Sequence, residues 1–232
     1  MHERRDPHQS TSRISDIILG GQDGLVNVLG VLLGVAAATS DAHIVVVAGL
    51  ATAFAESISM AAVAYTSTQA DADLYESERA RELRHIKAIP ALEREEVREM
   101  FARRGFEGEM LGRIVAAITA DKDVWVAVML AEEHKLVPID RAQALRSAFT
   151  VGVSALIGSL LPVLPFFAIP VRESMFAATL LAAVTLFIAG VYKARVTVGK
   201  PWKSGAELAI IGTVSAMVGY AVGAIFNATG FT

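Results

Sequence analysis

Long apolar stretches recur five times along this chain, and a polar segment separates the second from the third. The apolar stretches are residues 17–39, 44–68, 149–169, 175–192 and 208–226. At about 1.5 Å rise per residue, stretches of this length can cross a hydrocarbon layer roughly 30 Å thick. The pattern predicts an all-α fold: a five-span transmembrane helical bundle with a helical domain inserted after the second span.

The first apolar stretch has a competing interpretation as a cleaved signal peptide. Arginines precede it, and residues 36–38 are three alanines that resemble a cleavage site. Against cleavage, the stretch is long and contains Gln22, Asp23 and Asn27. We therefore interpret residues 17–39 as a membrane span.

The inserted segment, residues 69–147, holds 29 of the 45 charged side chains of the chain. Residues 69–89 lack Gly and Pro, Pro90 ends that helical pattern, and Gly105 follows the next one. A third helix is expected over residues 108–134, broken near Asp121. The chain is thus divided into a tail (1–16), spans 1 and 2 (17–68), a helical metal-binding domain (69–147) and spans 3 to 5 (148–232).

Lysines and arginines are distributed asymmetrically between the two sides of this topology. The tail, the inserted segment and residues 193–203 carry 20 of the 21 basic residues, and the opposite side carries only Arg172. By the positive-inside rule, the amino terminus and residues 69–147 are expected in the cytoplasm. No organelle address is recognisable, so a bacterial inner (plasma) membrane is the expected location, and the tail is expected to be disordered.

Composition narrows the possible chemistry. The chain is 53% hydrophobic, has a net charge of -3 and contains no cysteine. Thiolate zinc sites, iron–sulfur clusters and disulfides are therefore excluded, and a basic nucleic-acid binder is not expected. Any metal must be held by oxygen, imidazole or thioether groups.

Two of the predicted spans carry ionisable side chains. Asp23 and Asn27 share one face of the first span, and Glu56 and Met60 share one face of the second. An acidic group at the centre of a span costs about 2.5–3.5 kcal/mol, so it is expected to face a partner, a cavity or an ion pathway. The alternatives are that Asp23 lies near the lipid headgroups and that Glu56 bonds a neighbouring helix.

Pairs of small residues four apart predict which spans pack closely. These pairs are Gly20 with Gly24, Gly30 with Gly34, and Gly219 with Gly223. Small residues at this spacing let helix backbones approach each other, so the first and fifth spans are expected at helix interfaces.

Within the inserted segment, possible metal ligands recur at helical spacing. Glu82 and His85 are three residues apart, as are Glu93 and Glu96, and Met129 and Glu133 are four apart. Each pair projects from one helix face, and three such faces brought together would suit divalent iron or manganese. The alternative is that these glutamates are merely solvated, and spacing does not distinguish Glu78 from Glu82.

Several motifs together resemble the vacuolar iron transporter family. They are the run Asp23-Gly24-Leu25-Val26, residues 56–62 followed by Tyr65 and Ser67, the stretch 75–82, Pro90 with Glu93 and Glu96, and residues 125–133. The resemblance covers nearly the whole chain. It implies a proton-coupled exporter of Fe(II), and of Mn(II), without an organic cofactor.

The resemblance also implies a homodimer in the lipid bilayer and a set of site residues. It places cytoplasmic metal ligands at Glu82, Glu93, Glu96, Met129 and Glu133, and pathway residues at Asp23 and Met60. His85 stands where the family has a glutamate, Leu130 where a second methionine is frequent, and Thr52 where an acid is frequent. Glu56 supplies an acid one turn after Thr52.

Two other function classes remain open from the sequence. Glu82-x-x-His85 has the spacing found in ferritin-like bundles, so a membrane-anchored di-iron oxidase is one alternative, although the segment has only one such motif. A regulatory membrane protein that senses metal is another. No phosphate-binding loop of the Walker type is present, so an ATP-driven pump is not expected.

Overall fold

The computed structural model describes residues 8–197 and 199–229 of the chain. In this part of the chain, the regular elements are helices. They are α1 (His8–Ala38), α2 (Ala42–Ala88), α3 (Pro90–Ala102), α4 (Gly108–Thr119), α5 (Lys122–Glu132), α6 (Ala142–Leu160), a 3₁₀ helix (Leu161–Phe167), α7 (Val171–Val196) and α8 (Pro201–Ala228).

Among the described residues, five segments are long and apolar enough to cross a membrane. They are Ile14–Ala38, Ala42–Ala88, Ala142–Phe167, Val171–Val196 and Pro201–Ala228. Each overlaps one of the five predicted spans. The all-α, five-span prediction is therefore confirmed, and the chain is a multi-pass membrane protein.

The chain divides into two compact units. One contains Met1–Tyr65 and Leu145–Thr232, and we call it the membrane unit. The other is Thr66–Ala144, which we call the inserted unit. Helix α2 runs without a break from the membrane unit into the inserted unit.

The structure of the amino-terminal tail differs from the expectation that it is disordered. Helix α1 begins at His8, so residues 8–16 are helical, and residues 1–7 lie outside the described residues. Residues 8–16 contain no Gly or Pro and directly precede a long helix. Adding residues to an existing helix avoids the unfavourable nucleation step, which explains the extension.

Close backbone contacts at glycines pack the helices of the membrane unit against one another. A Cβ atom built on Gly34 of α1 would lie 2.9 Å from the carbonyl oxygen of Gly219 in α8. Gly20 and Gly24 in the first half of α1 are similarly close to the α6 backbone, at Val151 and Ala155. The prediction that the first and fifth spans lie at helix interfaces is confirmed.

The third span changes helix type near its end. Helix α6 ends at Leu160, and the 3₁₀ helix that follows contains Pro162 and Pro165. Proline lacks the backbone N–H that an α-helix needs, so it favours this change. Val163 and Phe166 of the 3₁₀ helix are buried in the apolar core of the membrane unit, together with Leu25, Leu29 and Leu32 of α1.

The inserted unit has its own apolar core and well-defined helix ends. Its core includes Ile86, Val97, Leu111, Val115, Trp125, Val126, Met129 and Leu130. Helix α3 is followed by Gly105, whose φ of +91° is in the left-handed region. Asp121 caps α5 by accepting hydrogen bonds from the backbone N–H groups of Asp123 and Val124 at 2.8 and 3.2 Å. This confirms the break predicted near Asp121.

Candidate metal centre and membrane carboxylates

A sharp turn between α2 and α3 brings potential metal ligands together in the inserted unit. Pro90 is the first residue of α3, and the backbone N–H of Ile89 donates to the His85 carbonyl at 2.8 Å, closing α2. The turn places Glu93 of α3 beside the last turns of α2. The side chains of Glu82, His85 and Glu93 each offer one ligand atom, and these atoms lie within 4.8 Å of one another.

The burial of these glutamates distinguishes them from solvated surface acids. Glu82 and Glu93 are each only 2% exposed. His85 Nδ1 lies 3.5 Å from Glu93 Oε1, while Glu93 Oε2 is buried without a hydrogen-bond partner in the described structure. Burying a carboxylate oxygen without a partner is unfavourable, and a bound cation would remove that cost.

Electrostatics also indicate an excess of negative charge at this site. Burial raises the pKa of Glu93 above its ordinary value, and the negative charges of Glu96, Glu82 and Glu133 raise it further, although His85 opposes them. Burial likewise raises the pKa of Glu96, with Glu133 as the largest of the neighbouring charges. The carboxylates repel one another, and a divalent cation between them would relieve that repulsion.

Glu96 and Glu133, also predicted from sequence, line an adjacent cavity of about 270 Å³. Its other lining residues are Glu99, Met100, Arg103 and Glu132. A cationic side chain, Arg103, is therefore already present, and Arg104 pairs with Glu132. The structure thus brings Glu96 and Glu133 near the Glu82 cluster without making them part of its closest set of ligand atoms.

Met129 lies in the apolar core of the inserted unit. It is fully buried and belongs to the same core cluster as Val97, Trp125 and Leu130. A thioether can both pack as a hydrophobic group and contact a soft metal ion. The packing role is visible in the structure, and its predicted role as a ligand stays a prediction.

Two further groups that spacing did not assign, Glu78 and His134, also belong to this region. Together with Glu82, they offer a second set of ligand atoms within 4.8 Å of one another. Glu78 lies one helical turn before Glu82 in α2, which is the ambiguity that spacing left open. His134 lies just beyond α5, and helical spacing gives no information about a residue in a turn.

The membrane unit contains a second polar cluster, at the predicted pathway residues. The side-chain amide of Asn27 in α1 donates to Asp23 Oδ2 at 3.3 Å and to Glu56 Oε1 of α2 at 3.0 Å. Asp23 and Glu56 are half-buried, as is Met60 one turn after Glu56. The structure brings the two predicted acids together through one amide group.

Comparisons with known proteins identify the family of this chain. Residues 14–224 match the model of the VIT family. The chain belongs to the VIT family. Vacuolar iron transporter 1 of Eucalyptus grandis is 33% identical over 222 residues, which cover 95% of this chain and 89% of the relative. Vacuolar iron transporter 1 of Arabidopsis thaliana is 32% identical over 208 residues, 89% of this chain and 83% of the relative.

A more distant VIT-family relative comes from a parasite. The vacuolar iron transporter of Plasmodium berghei (strain Anka) is 24% identical over 237 residues, which cover 97% of this chain and 87% of the relative. The coverage shows that the likeness extends over the membrane unit and the inserted unit alike. The resemblance inferred from the motifs is therefore confirmed.

The structure shows the contacts of Thr52, one of the positions expected to depart from the family pattern. The hydroxyl of Thr52 donates to the Ala48 carbonyl of its own helix at 2.8 Å. The Thr52 hydroxyl therefore has its hydrogen-bond partner within α2, while Glu56, one turn later, accepts a hydrogen bond from the Asn27 side chain of α1. The acid near Asp23 is supplied by Glu56.

Proposed function

We propose that this protein exports divalent iron, and also Mn(II), from the cytoplasm in exchange for protons. The observation that carries the proposal is the ligand set of Glu82, His85 and Glu93, in which both glutamates are buried and one Glu93 oxygen has no partner. Carboxylate and imidazole ligands suit Fe(II) and Mn(II). The relatives named vacuolar iron transporters support iron as the cargo.

In this proposal, the metal is collected in the inserted unit before it crosses the membrane. Glu82, His85 and Glu93 hold it, and Glu96, Met129 and Glu133 complete the collecting region. Metal and protons compete for the same carboxylate oxygens, and the raised pKa values of Glu93 and Glu96 make protons stronger competitors there. Metal capture is then better at higher pH than at lower pH, in keeping with the expected position of residues 69–147 in the cytoplasm of a bacterial-type cell.

The proposed path through the membrane is formed by Asp23, Glu56 and Met60. Asp23 and Glu56 accept hydrogen bonds from one amide, so each keeps oxygen lone pairs that a metal ion or a proton can take. Each carboxylate that releases a metal ion takes up protons from the opposite side. The cycle thus returns the path to a neutral state.

We also propose that the protein works as a homodimer. In the membrane unit, α2 exposes the large apolar side chains of Phe54 and Ile58, which are 54% and 71% exposed. Asn27, which bridges the pathway acids, is also exposed. A second copy packed against this side would shield the polar cluster from lipid.

The direct test is metal flux into liposomes that contain the purified protein and a metal-sensitive dye. Fe(II) and Mn(II) are added outside, with and without a pH gradient across the membrane. We expect flux of both ions that is accelerated by a gradient that is acidic inside. Absence of flux would refute transport, and flux that ignores the gradient would refute exchange with protons.

A second candidate, oxidation of iron, is favoured by one observation. His134 provides a second imidazole near Glu82, whose other neighbour, His85, completes the Glu-x-x-His motif. Such an arrangement partly resembles the ligands of di-iron carboxylate sites. Oxygen consumption that depends on Fe(II), measured in the same protein without a gradient, would support this alternative.

A further inference from the structure

A large apolar groove lies in the membrane unit between α1, α7 and α8. Its volume is about 1190 Å³, more than the roughly 300–1,000 Å³ of common ligand pockets. Small buried residues form its floor, among them Ala36 and Ala216, which are 7% and 1% exposed. Large apolar side chains on its rims, Phe176, Leu180 and Met217, are each more than half exposed. The groove therefore opens on the exposed apolar surface of the spanning helices.

The groove exists because small side chains meet where α7 and α8 cannot close together. Five alanines line it: Ala36 and Ala37 of α1, Ala183 of α7, and Ala216 and Ala221 of α8. Near the other ends of their contact, α7 and α8 touch at their backbones, since a Cβ atom at Gly190 would lie 2.8 Å from the Gly205 Cα. Apolar atoms that face a void lose dispersion contacts, so a hydrocarbon chain in the groove would restore them.

The groove is as long as one membrane leaflet is deep. Its lining residues on α7 run from Arg172 to Ala183, which at ~1.5 Å rise per residue corresponds to about 16 Å. The hydrocarbon layer is roughly 30 Å thick, so one leaflet contributes about 15 Å. One end of the groove is lined by Ser40, which follows α1, and by Pro170, which directly precedes α7. The groove therefore extends from the ends of the spans to about the middle of the membrane.

A cationic side chain lies at the end of the groove near Pro170. Arg172 is in the first turn of α7, is exposed and lines the groove. Among the described residues it has no ion-pair partner, and the exposed Glu173 beside it does not line the groove. A guanidinium group binds phosphate oxygens through two parallel hydrogen bonds, and the start of a helix also attracts anions. This end of the groove is therefore suited to a phosphate group.

We propose that the groove binds one phospholipid from the leaflet at the Arg172 end. The phosphate pairs with Arg172, and one acyl chain lies in the groove against the alanines. A phospholipid satisfies both parts of the groove, because it joins an anionic phosphate to a hydrocarbon chain. The homodimer proposed above uses the exposed side of α2, so it leaves this groove on α7 and α8 open to lipid. The proposal concerns the membrane unit alone and does not depend on metal transport.

The first test measures lipid binding to the full-length protein in detergent by native mass spectrometry. Phosphatidylglycerol is added to protein that has been stripped of lipid, and the bound lipids are counted for each chain. We expect one tightly bound phosphatidylglycerol. Arg172→Gln should weaken its binding by about tenfold or more, because hydrogen bonds to a charged group are lost. Arg195→Gln, at an exposed position near the other end of α7, should bind like the wild type. Equal affinity in the wild type and Arg172→Gln would overturn the proposal.

The second test fills the groove from one of two neighbouring positions on α7. Ala183 lines the groove, whereas Val184 does not line it and is 48% exposed. Thermal unfolding is measured with and without phosphatidylglycerol, because a ligand that binds the folded protein raises its stability. The lipid should stabilise the wild type and Val184→Phe but not Ala183→Phe, in which the ring occupies the place of the acyl chain. Full stabilisation of Ala183→Phe would overturn the proposal, as would a change in its oligomeric state, which would assign the groove to a second copy of the chain.

The third test needs no variant, so it holds even if a substitution impairs folding. Wild-type protein is mixed with diacylglycerol, which has the same acyl chains but no phosphate, or with glycerol phosphate, which has no acyl chain. Each should bind at least about tenfold more weakly than phosphatidylglycerol, because each satisfies only one part of the groove. Equally tight binding of diacylglycerol would refute recognition of the phosphate. Displacement of the lipid by an equal concentration of glycerol phosphate would show a site for soluble anions and would also overturn the proposal.

Discussion

The side-chain amide of Asn27 donates a hydrogen bond to Glu56 Oε1 at 3.0 Å, which joins α1 to α2 inside the membrane unit. The same nitrogen reaches Asp23 Oδ2 at 3.3 Å. An amide nitrogen carries two hydrogens, so it can satisfy both carboxylates at once. Asn27 therefore holds two acidic groups together that would otherwise repel each other.

The first prediction concerns this amide. Asn27→Ala removes hydrogen bonds to two acidic groups, and each such bond contributes about 1.5–3 kcal/mol when the acceptor is charged. We expect metal flux in liposomes to fall by roughly tenfold or more, the factor that 1.4 kcal/mol represents. Asn227→Ala is the matched control, because Asn227 also donates from a neighbouring helix to α1, at the Ala37 carbonyl at 2.9 Å. Equal loss of flux in the two variants would contradict a special role for Asn27.

The second prediction separates capture from passage. Asp23→Asn removes the charge of a pathway acid and leaves the inserted unit unchanged. We expect metal flux to be abolished while the number of bound Mn(II) ions in the purified protein stays at the wild-type value. Asp41→Asn is a suitable control, because Asp41 accepts from the His43 N–H at 2.8 Å at the start of α2 and is not among the pathway acids. Wild-type flux in Asp23→Asn would remove Asp23 from the path.

The third prediction follows from the raised pKa values of Glu93 and Glu96. Their ordinary value is 4.5, and burial together with neighbouring carboxylates raises both. A group whose pKa is higher in the folded state binds protons more tightly there, so the metal-free protein should become more stable as the pH falls from neutral towards 4.5. Thermal unfolding of metal-free protein across this range measures the effect.

Metal binding should show the opposite dependence on pH over the same range. Protons and metal ions compete for the same oxygens, so the affinity for Mn(II) should fall as the pH falls. Glu93→Gln should weaken both dependences and should itself stabilise the metal-free protein at neutral pH. A Glu109→Gln variant, altered at an exposed acid of α4, should retain the wild-type profiles. If the metal-free protein lost stability as the pH was lowered, in parallel with its loss of affinity for Mn(II), this account would be contradicted.

The fourth prediction tests the glycine contacts between α1 and α8. A Cβ atom at Gly34 would lie 2.9 Å from the Gly219 carbonyl, whereas a Cβ at Gly30 would lie 3.8 Å from its nearest neighbour, the Ser215 carbonyl. Forcing a methyl group into a packed interface costs about 1–3 kcal/mol. Gly34→Ala should therefore lower the unfolding temperature in detergent, and Gly30→Ala should lower it less or raise it. The reverse order would contradict the close α1–α8 packing.

The sequence predicted those features that depend on position within a single helix. Glu82 and His85 share one face of α2 because three residues make almost one helical turn. The apolar residues around Asp23 likewise predict that the helix containing it crosses the membrane. The contact between Asn27 and Glu56 depends on the rotation of two helices about their axes, which spacing within each helix does not determine. Spacing does not identify His134, because this residue lies in a turn after α5, where helical periodicity no longer applies.

The glycines of α1 also have a mechanical consequence. Gly20 and Gly24 lie against the backbone of α6, and Gly34 lies against that of α8, so α1 makes close backbone contacts with two helices between Gly20 and Gly34. Sliding or rotating α1 would separate several close backbone contacts at once. We therefore expect α1 to be the fixed element of the membrane unit, which keeps Asp23 in place.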